Sequence, residues 1–334
     1  MQTNHEVRVA DARDLSLAEP ADLVVTSPPY PMVEMWDDCF AAQSPEAAEA
    51  LAADEGDRAF EAMHDVLDGV WSRLADAVRE GGIVAVNVGD ATRNLDEFQQ
   101  YPNAAEITRR MRGHGFRTLP DLLWRKPTNS TAKFMGSGTL PTNAYPTLEH
   151  EHVLLFRNGG TRDFPPSDET RYESAYFWEE RNTWFSDTWE IRGERQALAG
   201  EGRDRSGAFP FEVPYRLVSM FSVYGDTVLD PFWGTGTTSL AALVAGRSSV
   251  GYERDGDLVA GFAEAAERAP ALSREVVRER LADHREWAAD HDPGYAADHY
   301  DFGVKTSLER GIRLYEATDV TRDGREWTAS YDPV

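Results

Sequence analysis

Lysine is almost missing from this chain. Of 34 basic residues only Lys126, Lys133 and Lys305 are lysines, and 58 acidic residues leave a net charge of −24. A balance of that sign argues against a broad basic surface of the kind that holds nucleic acid by its phosphates. Acidic excess with scarce lysine is also the composition expected of a halophilic protein, hydrated in concentrated salt. There the Debye length is only about 3 Å at 1 M, and overall charge says little about partners. One cysteine, Cys39, excludes an intramolecular disulfide and leaves no Cys-based metal site. His150 and His152 form a spaced pair without a third ligand, so no metal is expected. No run approaches about eighteen apolar residues, so no membrane-spanning helix is expected. Residues 1–10 lack an apolar signal-peptide core, and a cytoplasmic location is expected. No Gly-Lys-Ser/Thr follows a glycine-rich turn, which excludes a P-loop.

What is present is enough apolar residue, 41% of 334, for a packed core. Residues 7–10 and 21–25 read as strands, and the second ends at Thr26-Ser27-Pro28-Pro29-Tyr30. Apolar residues at helical spacing fill 58–79. Gly81-Gly82 is expected to stop that helix before a buried strand at 83–88. A helix over 103–113 and strands over 117–124 and 152–156 follow. Residues 127–208 are rich in Gly, Pro, Thr, Asn, Arg and aromatics and have little periodicity. From 213 a helix, a strand at 227–230, a helix through Leu243 and a strand at 249–253 restore the alternation. A charged helix over 270–290 and a polar tail to Val334 complete the chain. Alternating strands and helices predict an α/β fold with a doubly wound, mostly parallel sheet.

Two motifs carry chemistry. In the first, a strand leads into Asp230-Pro231-Phe232-Trp233-Gly234-Thr235-Gly236-Thr237 and then a helix. Gly234 and Gly236 permit a tight turn with close backbone approach, and the helix offers its N-terminus to a polar or anionic group. Glu253 ends the next strand, where a carboxylate can take two ribose hydroxyls. Alone, this segment is also compatible with a plain strand-to-helix turn. Ser239 replaces the third glycine of a dinucleotide fingerprint, which disfavours a nucleotide-dependent oxidoreductase.

In the second motif, Ser27-Pro28-Pro29-Tyr30 follows an apolar strand. The prolines fix φ and remove two N–H donors, so their carbonyls can point outward. A Ser hydroxyl and a Pro carbonyl suit the two N–H bonds of an exocyclic amine. Holding both hydrogens turns the nitrogen lone pair toward a methyl donor. Tyr30 offers a face for a flipped base. Positioning then carries most of the catalysis. A Pro-Pro turn at a strand end is the bland alternative. In a doubly wound sheet, residues 27–30 and 230–236 would converge at the switch point.

With these residues the chain resembles the beta-class amino-methyltransferases of DNA, which carry Ser/Asp-Pro-Pro-Tyr near the N-terminus and Phe-x-Gly-x-Gly near the C-terminus. Residues 9–15, 81–88, 148–157, 186–191 and 209–214 extend the likeness over roughly 7–255. The resemblance implies a Rossmann-like methyltransferase sheet, S-adenosyl-L-methionine as cofactor and double-stranded DNA as partner. It assigns Ser27, Pro28, Pro29 and Tyr30 to catalysis. It assigns Asp11, Asp230, Phe232, Gly234, Gly236, Thr237 and Glu253 to the cofactor. Trp233 departs from the family's smaller residue and is expected to narrow or cover the cofactor pocket. Ser27 leans toward cytosine N4, with adenine N6 as the alternative. Cytosine C5 chemistry needs a Cys after Pro, whereas Cys39 follows Asp38. Residues 27–37 also resemble archaeal N4-cytosine enzymes that modify CTAG.

The implied organisation is a catalytic half at 1–126, a target-recognition insertion at 127–208 (with 148–157 a strand of the main sheet), a cofactor half at 209–268, and a charged helix with tail at 269–334. Lys126, Lys133, Arg157, Arg192, Arg195, Arg203 and Arg205 are candidates for DNA contact. The aromatics between Tyr172 and Trp189 are read as the core of a small subdomain or as base-stacking groups. Arg109, Arg110 and Arg112 are read as a solvated helix face. A restriction endonuclease would have to be a separate chain, and the methyltransferase itself a monomer or homodimer. A non-catalytic DNA-binding protein on the same fold, or the same chemistry on RNA or protein, are the rival readings.

Overall fold

A computed structural model describes residues 1–126, 136–192 and 209–334. In chain order its strands are β1 (Gln2–Val9), β2 (Ala21–Thr26), β3 (Val78–Val88), β4 (Ala91–Asn94), β5 (Phe98–Tyr101), β6 (Arg117–Thr118), β7 (Leu122–Arg125), β8 (His150–Arg157), β9 (Thr188–Glu190), β10 (Thr227–Asp230), β11 (Ser248–Glu253), β12 (Tyr295–Ala296), β13 (Gly303–Val304), β14 (Tyr315–Asp323) and β15 (Glu326–Pro333). Its helices are α1 (Asp37–Ala41), α2 (Pro45–Ala52), α3 (Gly56–Ala77), α4 (Asn103–Gly113), α5 (Glu169–Glu173), α6 (Trp178–Trp184), α7 (Glu212–Phe221), α8 (Thr237–Val244) and α9 (Gly256–His291).

One large sheet runs β14-β15-β1-β11-β10-β2-β3-β8-β7-β9, with β6 paired to β8. Its centre, β1-β11-β10-β2-β3, is parallel. β8 and β15 pair antiparallel on the two sides of that centre. β2 and the second half of β3 read as largely apolar runs because both faces are covered. Val24, Val84, Val86 and Leu229 point into a core shared with α3 and α4. Leu23, Val25, Ala85 and Val228, one position out of phase, point into a second core with α7 and α8. The β3 partners of β2 step in register from Leu23↔Ile83 to Thr26↔Val86, and Val228 and Leu229 of β10 pair with Leu23 and Val24. Chain order therefore reverses between β2 and β10. Their C-terminal ends stand side by side, where open α/β sheets bind ligands.

Three local expectations are corrected. Gly81-Gly82 does not end a helix: α3 stops at Ala77, and both glycines lie inside β3. Gly81 sits at φ +81 in an irregular stretch of the ladder with β2, and a Cβ on Gly82 would come within 2.9 Å of the Asp22 carbonyl oxygen. The strand read over 117–124 is two strands, interrupted by Leu119-Pro120-Asp121. The polar tail, in which no pattern was read, ends in two strands. β14 and β15 form a hairpin, and β15 extends the sheet beside β1, pairing Trp327 with His5. Arg110 is not solvated; it is 8% exposed and ion-paired with Glu106, Glu61 and Asp65.

Candidate active site at the switch point of the sheet

β2 delivers Thr26 and then Ser27-Pro28-Pro29-Tyr30 to the switch point. β10 delivers Asp230 beside it. Thr26 Oγ1 donates to Asp230 Oδ1 at 2.6 Å, so the two motifs are tied by one buried hydrogen bond. Asp230 Oδ1 also accepts from the Phe232 amide at 3.1 Å. Burial pushes the Asp230 carboxyl up to about 6, against the opposing hydrogen bonds from Thr26, Thr238 and the Phe232 amide.

Past Ser27 the chain turns tightly. The Val33 amide donates to the Tyr30 carbonyl, and buried Met32 takes φ +65. Asn103, fully buried at the start of α4, donates to the carbonyls of Pro31 (3.0 Å) and Gly89 (2.9 Å) and bonds the His64 ring at 3.0 Å. It staples the turn to the end of β3. Asn103 was not singled out from sequence, although an asparagine opening an amphipathic helix was its visible signal.

The Tyr30 ring is 8% exposed. It passes Gly89, where a Cβ would stand 3.2 Å from its Cε2. Its hydroxyl donates to Glu151 Oε2 at 3.0 Å and accepts from Asn87 Nδ2 at 2.8 Å. Asn87 Nδ2 also donates to Glu151 Oε2 at 2.7 Å, and Lys126 Nζ pairs with the other carboxylate oxygen. Ser27 Oγ lies 3.0 Å from Tyr30 Oη. A phenol has one proton, and here it goes to Glu151. Ser27 must therefore be the donor in its bond to Tyr30, which leaves the serine oxygen as an acceptor. Burial and the Glu151 charge both push the Tyr30 phenol well above its ordinary value, so it keeps that proton.

The glycine turn follows β10, the strand next to β2. Gly234 takes φ +58 and its amide donates to Glu253 Oε2 at 2.9 Å. A Cβ there would meet nothing nearer than the Phe232 carbonyl at 3.8 Å, so the space over the turn is open. Gly236 takes φ +84 and starts α8 without a side-chain cap; Thr237 is the first residue of that helix. Asp11 follows β1, next to Glu253 on β11, and its carboxylate is held by Arg13 and lies 3.7 Å from Arg254. Those bonds keep the Asp11 carboxyl below its usual range. An open groove, two half-buried carboxylates and a helix N-terminus fit a nucleoside carrying a ribose.

Comparison with known proteins agrees. A family model described as DNA methylase, of the N6/N4 type, matches residues 21–264. A type II methyltransferase, M.MthZI of Methanothermobacter thermautotrophicus, is 44% identical over 323 residues, covering 94% of this chain and 91% of its own. The type II methyltransferase M.MjaI of Methanocaldococcus jannaschii is 45% identical over 270 residues, covering 77% and 89%. The chain belongs to the N6/N4 DNA methylase family. Among solved structures, a putative DNA modification methylase of Thermus thermophilus, complexed with S-adenosyl-L-methionine, superposes with a TM-score of 0.60 at 31% identity, over 80% of this chain and 95% of that one. The family's methyl donor is S-adenosyl-L-methionine.

In this methylase Trp233 does not narrow the groove over the turn. It is 3% exposed and packs with Phe262, Trp327, Val259 and Val7. Its indole N–H donates to Ser239 Oγ at 2.8 Å. Gly251 makes room for it: a Cβ there would sit 2.0 Å from Trp233 Cδ1.

The basic candidates disperse. Lys126 is joined to the active-site network through Glu151 and lies over the Trp124 ring. Arg192 is exposed and follows β9, beside the end of β7 that carries Lys126. Arg157 lies at the opposite end of the sheet, paired with Ile83 and Arg117. Lys133, Arg195, Arg203 and Arg205 lie outside the described residues. Of the aromatics, Phe177 stacks on His284 of α9 and Trp184 and Trp189 are buried, whereas Tyr172 and Phe185 are exposed. Among the described residues no helix is long and apolar enough to cross a membrane.

Proposed function

We propose that this methylase transfers a methyl group to N4 of cytosine in duplex DNA. The observation that carries the reading is the polarity of Ser27. Its proton goes to Tyr30, so its oxygen faces a substrate as an acceptor for an amine N–H. With the Pro28 carbonyl it would hold both amine hydrogens and turn the nitrogen lone pair out of conjugation. Serine at this position, where adenine enzymes of the resembling class more often carry Asp or Asn, favours cytosine.

S-adenosyl-L-methionine, when bound, supplies a methyl group on a sulfonium that leaves readily. Glu253 and Asp11 are the residues we assign to its ribose and adenine side. Gly234, Gly236 and Thr237 would receive it along the turn, with Phe232 and Asp230 beside it. Pro29 keeps the Ser27 turn rigid, and the target base is rotated out of the duplex to reach it. What remains of the Tyr30 surface would meet that base. Lys126 and Arg192, at the same end of the sheet, are the described candidates for DNA contact. The likeness of residues 27–37 to archaeal CTAG enzymes makes CTAG the proposed target. A cognate endonuclease as a separate chain, a monomeric or homodimeric state, and function in high salt belong to the same proposal.

The test is transfer from tritiated S-adenosyl-L-methionine to unmethylated duplex DNA in high salt, followed by nucleoside mass spectrometry and mapping of the product. N4-methylcytosine within CTAG is expected. N6-methyladenine would overturn the base assignment, and transfer to no DNA would overturn the reading as a whole.

A further inference from the structure

We propose that Glu151 is the terminal acceptor of the proton that the substrate amine must lose, reached through a relay from Ser27 to Tyr30 to Glu151. The inference rests on the reading of Ser27 as the group that receives an amine N–H.

The relay is already connected. Ser27 Oγ and Tyr30 Oη are 3.0 Å apart, and Tyr30 Oη and Glu151 Oε2 are 3.0 Å apart. Each hydroxyl can pass its own proton forward as it receives one from behind. As the amine nitrogen forms its bond to the methyl carbon, the bond from that carbon to the donor sulfonium breaks, its electron pair stays on sulfur, and positive charge develops on the nitrogen. One N–H bond breaks in the same step, and that proton joins Ser27 Oγ. The Ser27 proton moves to Tyr30 Oη, and the Tyr30 proton moves to Glu151 Oε2. Both hydroxyls end neutral, the methylated amine is neutral, and the carboxylate has become a carboxylic acid. The exocyclic nitrogen of a nucleobase, conjugated with an electron-poor ring, is a much weaker base than a carboxylate, so the transfer runs downhill. Water is the alternative acceptor, but Tyr30 and Asn87 are buried around Ser27.

Two neighbours keep the relay aimed. Asn87 turns its Nδ2 to Tyr30 Oη and Glu151 Oε2 and, at the longer distance of 3.5 Å, to Ser27 Oγ, so its donor side faces the acceptors of the relay. Rotating that amide would set its oxygen against the carboxylate. Lys126 holds the second carboxylate oxygen, so Oε2 stays on Tyr30. Lys126 is the more exposed partner of this pair, with 29% of its side chain open against 12% for Glu151, and it marks the side from which the acid returns its proton to water. Asn87 and Lys126 are positioning residues, and Glu151 acts through Tyr30.

The test uses the full-length protein. Wild type, Glu151→Gln, Tyr30→Phe and the double variant are compared in single-turnover methyl transfer to duplex DNA. Thermal melting and calorimetric S-adenosyl-L-methionine binding establish that each is folded and loaded. The amide of Glu151→Gln keeps an acceptor for Tyr30 but takes a proton poorly. Each single variant is expected to lose about a hundredfold in the transfer rate, with KM for DNA little changed. The double variant is expected to lose no more than either single one, because both break the same chain. A solvent deuterium isotope effect present in wild type should vanish in all three. A Glu151→Gln enzyme with the wild-type rate and isotope effect overturns the relay while leaving the methyltransferase reading intact. Losses that multiply in the double variant also overturn it. A wild type that methylates no DNA removes the reading beneath both.

Discussion

Thr26 and Asp230 are separated by 204 positions and joined by a 2.6 Å hydrogen bond. Thr26 closes the strand that presents Ser27. Asp230 closes the strand that presents the glycine turn. Both groups are buried, at 0% and 3% exposure, so the bond is made where neither side chain has water to replace it. Replacing Thr26 by Val keeps the shape and removes the donor. We expect a loss of about 1–3 kcal/mol in urea unfolding, with most of it recovered by Thr26→Ser. An unchanged midpoint for the Val variant would show that the two strand ends do not depend on this bond.

Asp230 itself predicts a pH dependence. Burial raises its carboxyl from 3.8 to about 6 in the folded state. A raised folded-state value means that its contribution to stability is fully present below 3.8 and is lost as the pH rises through about 6. Asp230→Asn keeps an oxygen to accept from Thr26 and from the Phe232 amide but cannot ionise. The variant should therefore be more stable than wild type by about 3 kcal/mol at about pH 8, and by about half of that at about pH 5. Paired urea melts at the two pH values read the difference directly, since other titrating groups are common to both proteins. A gain that is equal at the two pH values would mean that Asp230 titrates normally.

The sheet was legible because its central strands are covered on both faces, so residues 21–26, 83–88 and 227–230 appear as apolar runs punctuated by Pro and Gly. The meeting of the two strand ends, at Thr26 and Asp230, was legible because chain order in a doubly wound sheet places such ends together. The hydrogen-bond network behind Ser27 was not. Asn87 is one amide within an apolar run, and Glu151 stands at the head of another strand; nothing in either local pattern tells that both reach Tyr30. A polar side chain inside a fully buried strand was the available signal for Asn87. Trp233 was misplaced because its room comes from Gly251, on a different strand. The hairpin at the C-terminus was obscured by charges on its exposed face. Its signal was the period-two alternation of Trp327, Ala329 and Tyr331 after the turn at Gly324.

That hairpin yields the last prediction. Trp327 is 2% exposed and meets Phe262 edge to face, with ring centroids 5.0 Å apart. Phe262 in turn meets Trp233 at 5.1 Å, and a Cβ on Gly236 would strike both Phe262 and Trp233. Packing thus runs without a gap from the last strand of the sheet to the underside of the glycine turn. Trp327→Ala opens a cavity at one end of this stack and should cost about 3–5 kcal/mol in unfolding free energy. Phe262 and Trp233 can then shift toward the vacated space, drawing the turn with them. We therefore expect S-adenosyl-L-methionine binding, measured by calorimetry under conditions where the variant is folded, to weaken severalfold. Trp327→Phe, which refills most of the space, should restore both quantities in large part. If Trp327→Ala loses stability but binds the donor as wild type does, the turn is held from its own side of the sheet, by Glu253 and the start of α8. If neither quantity moves, the hairpin is an appendage to the fold and not part of its core.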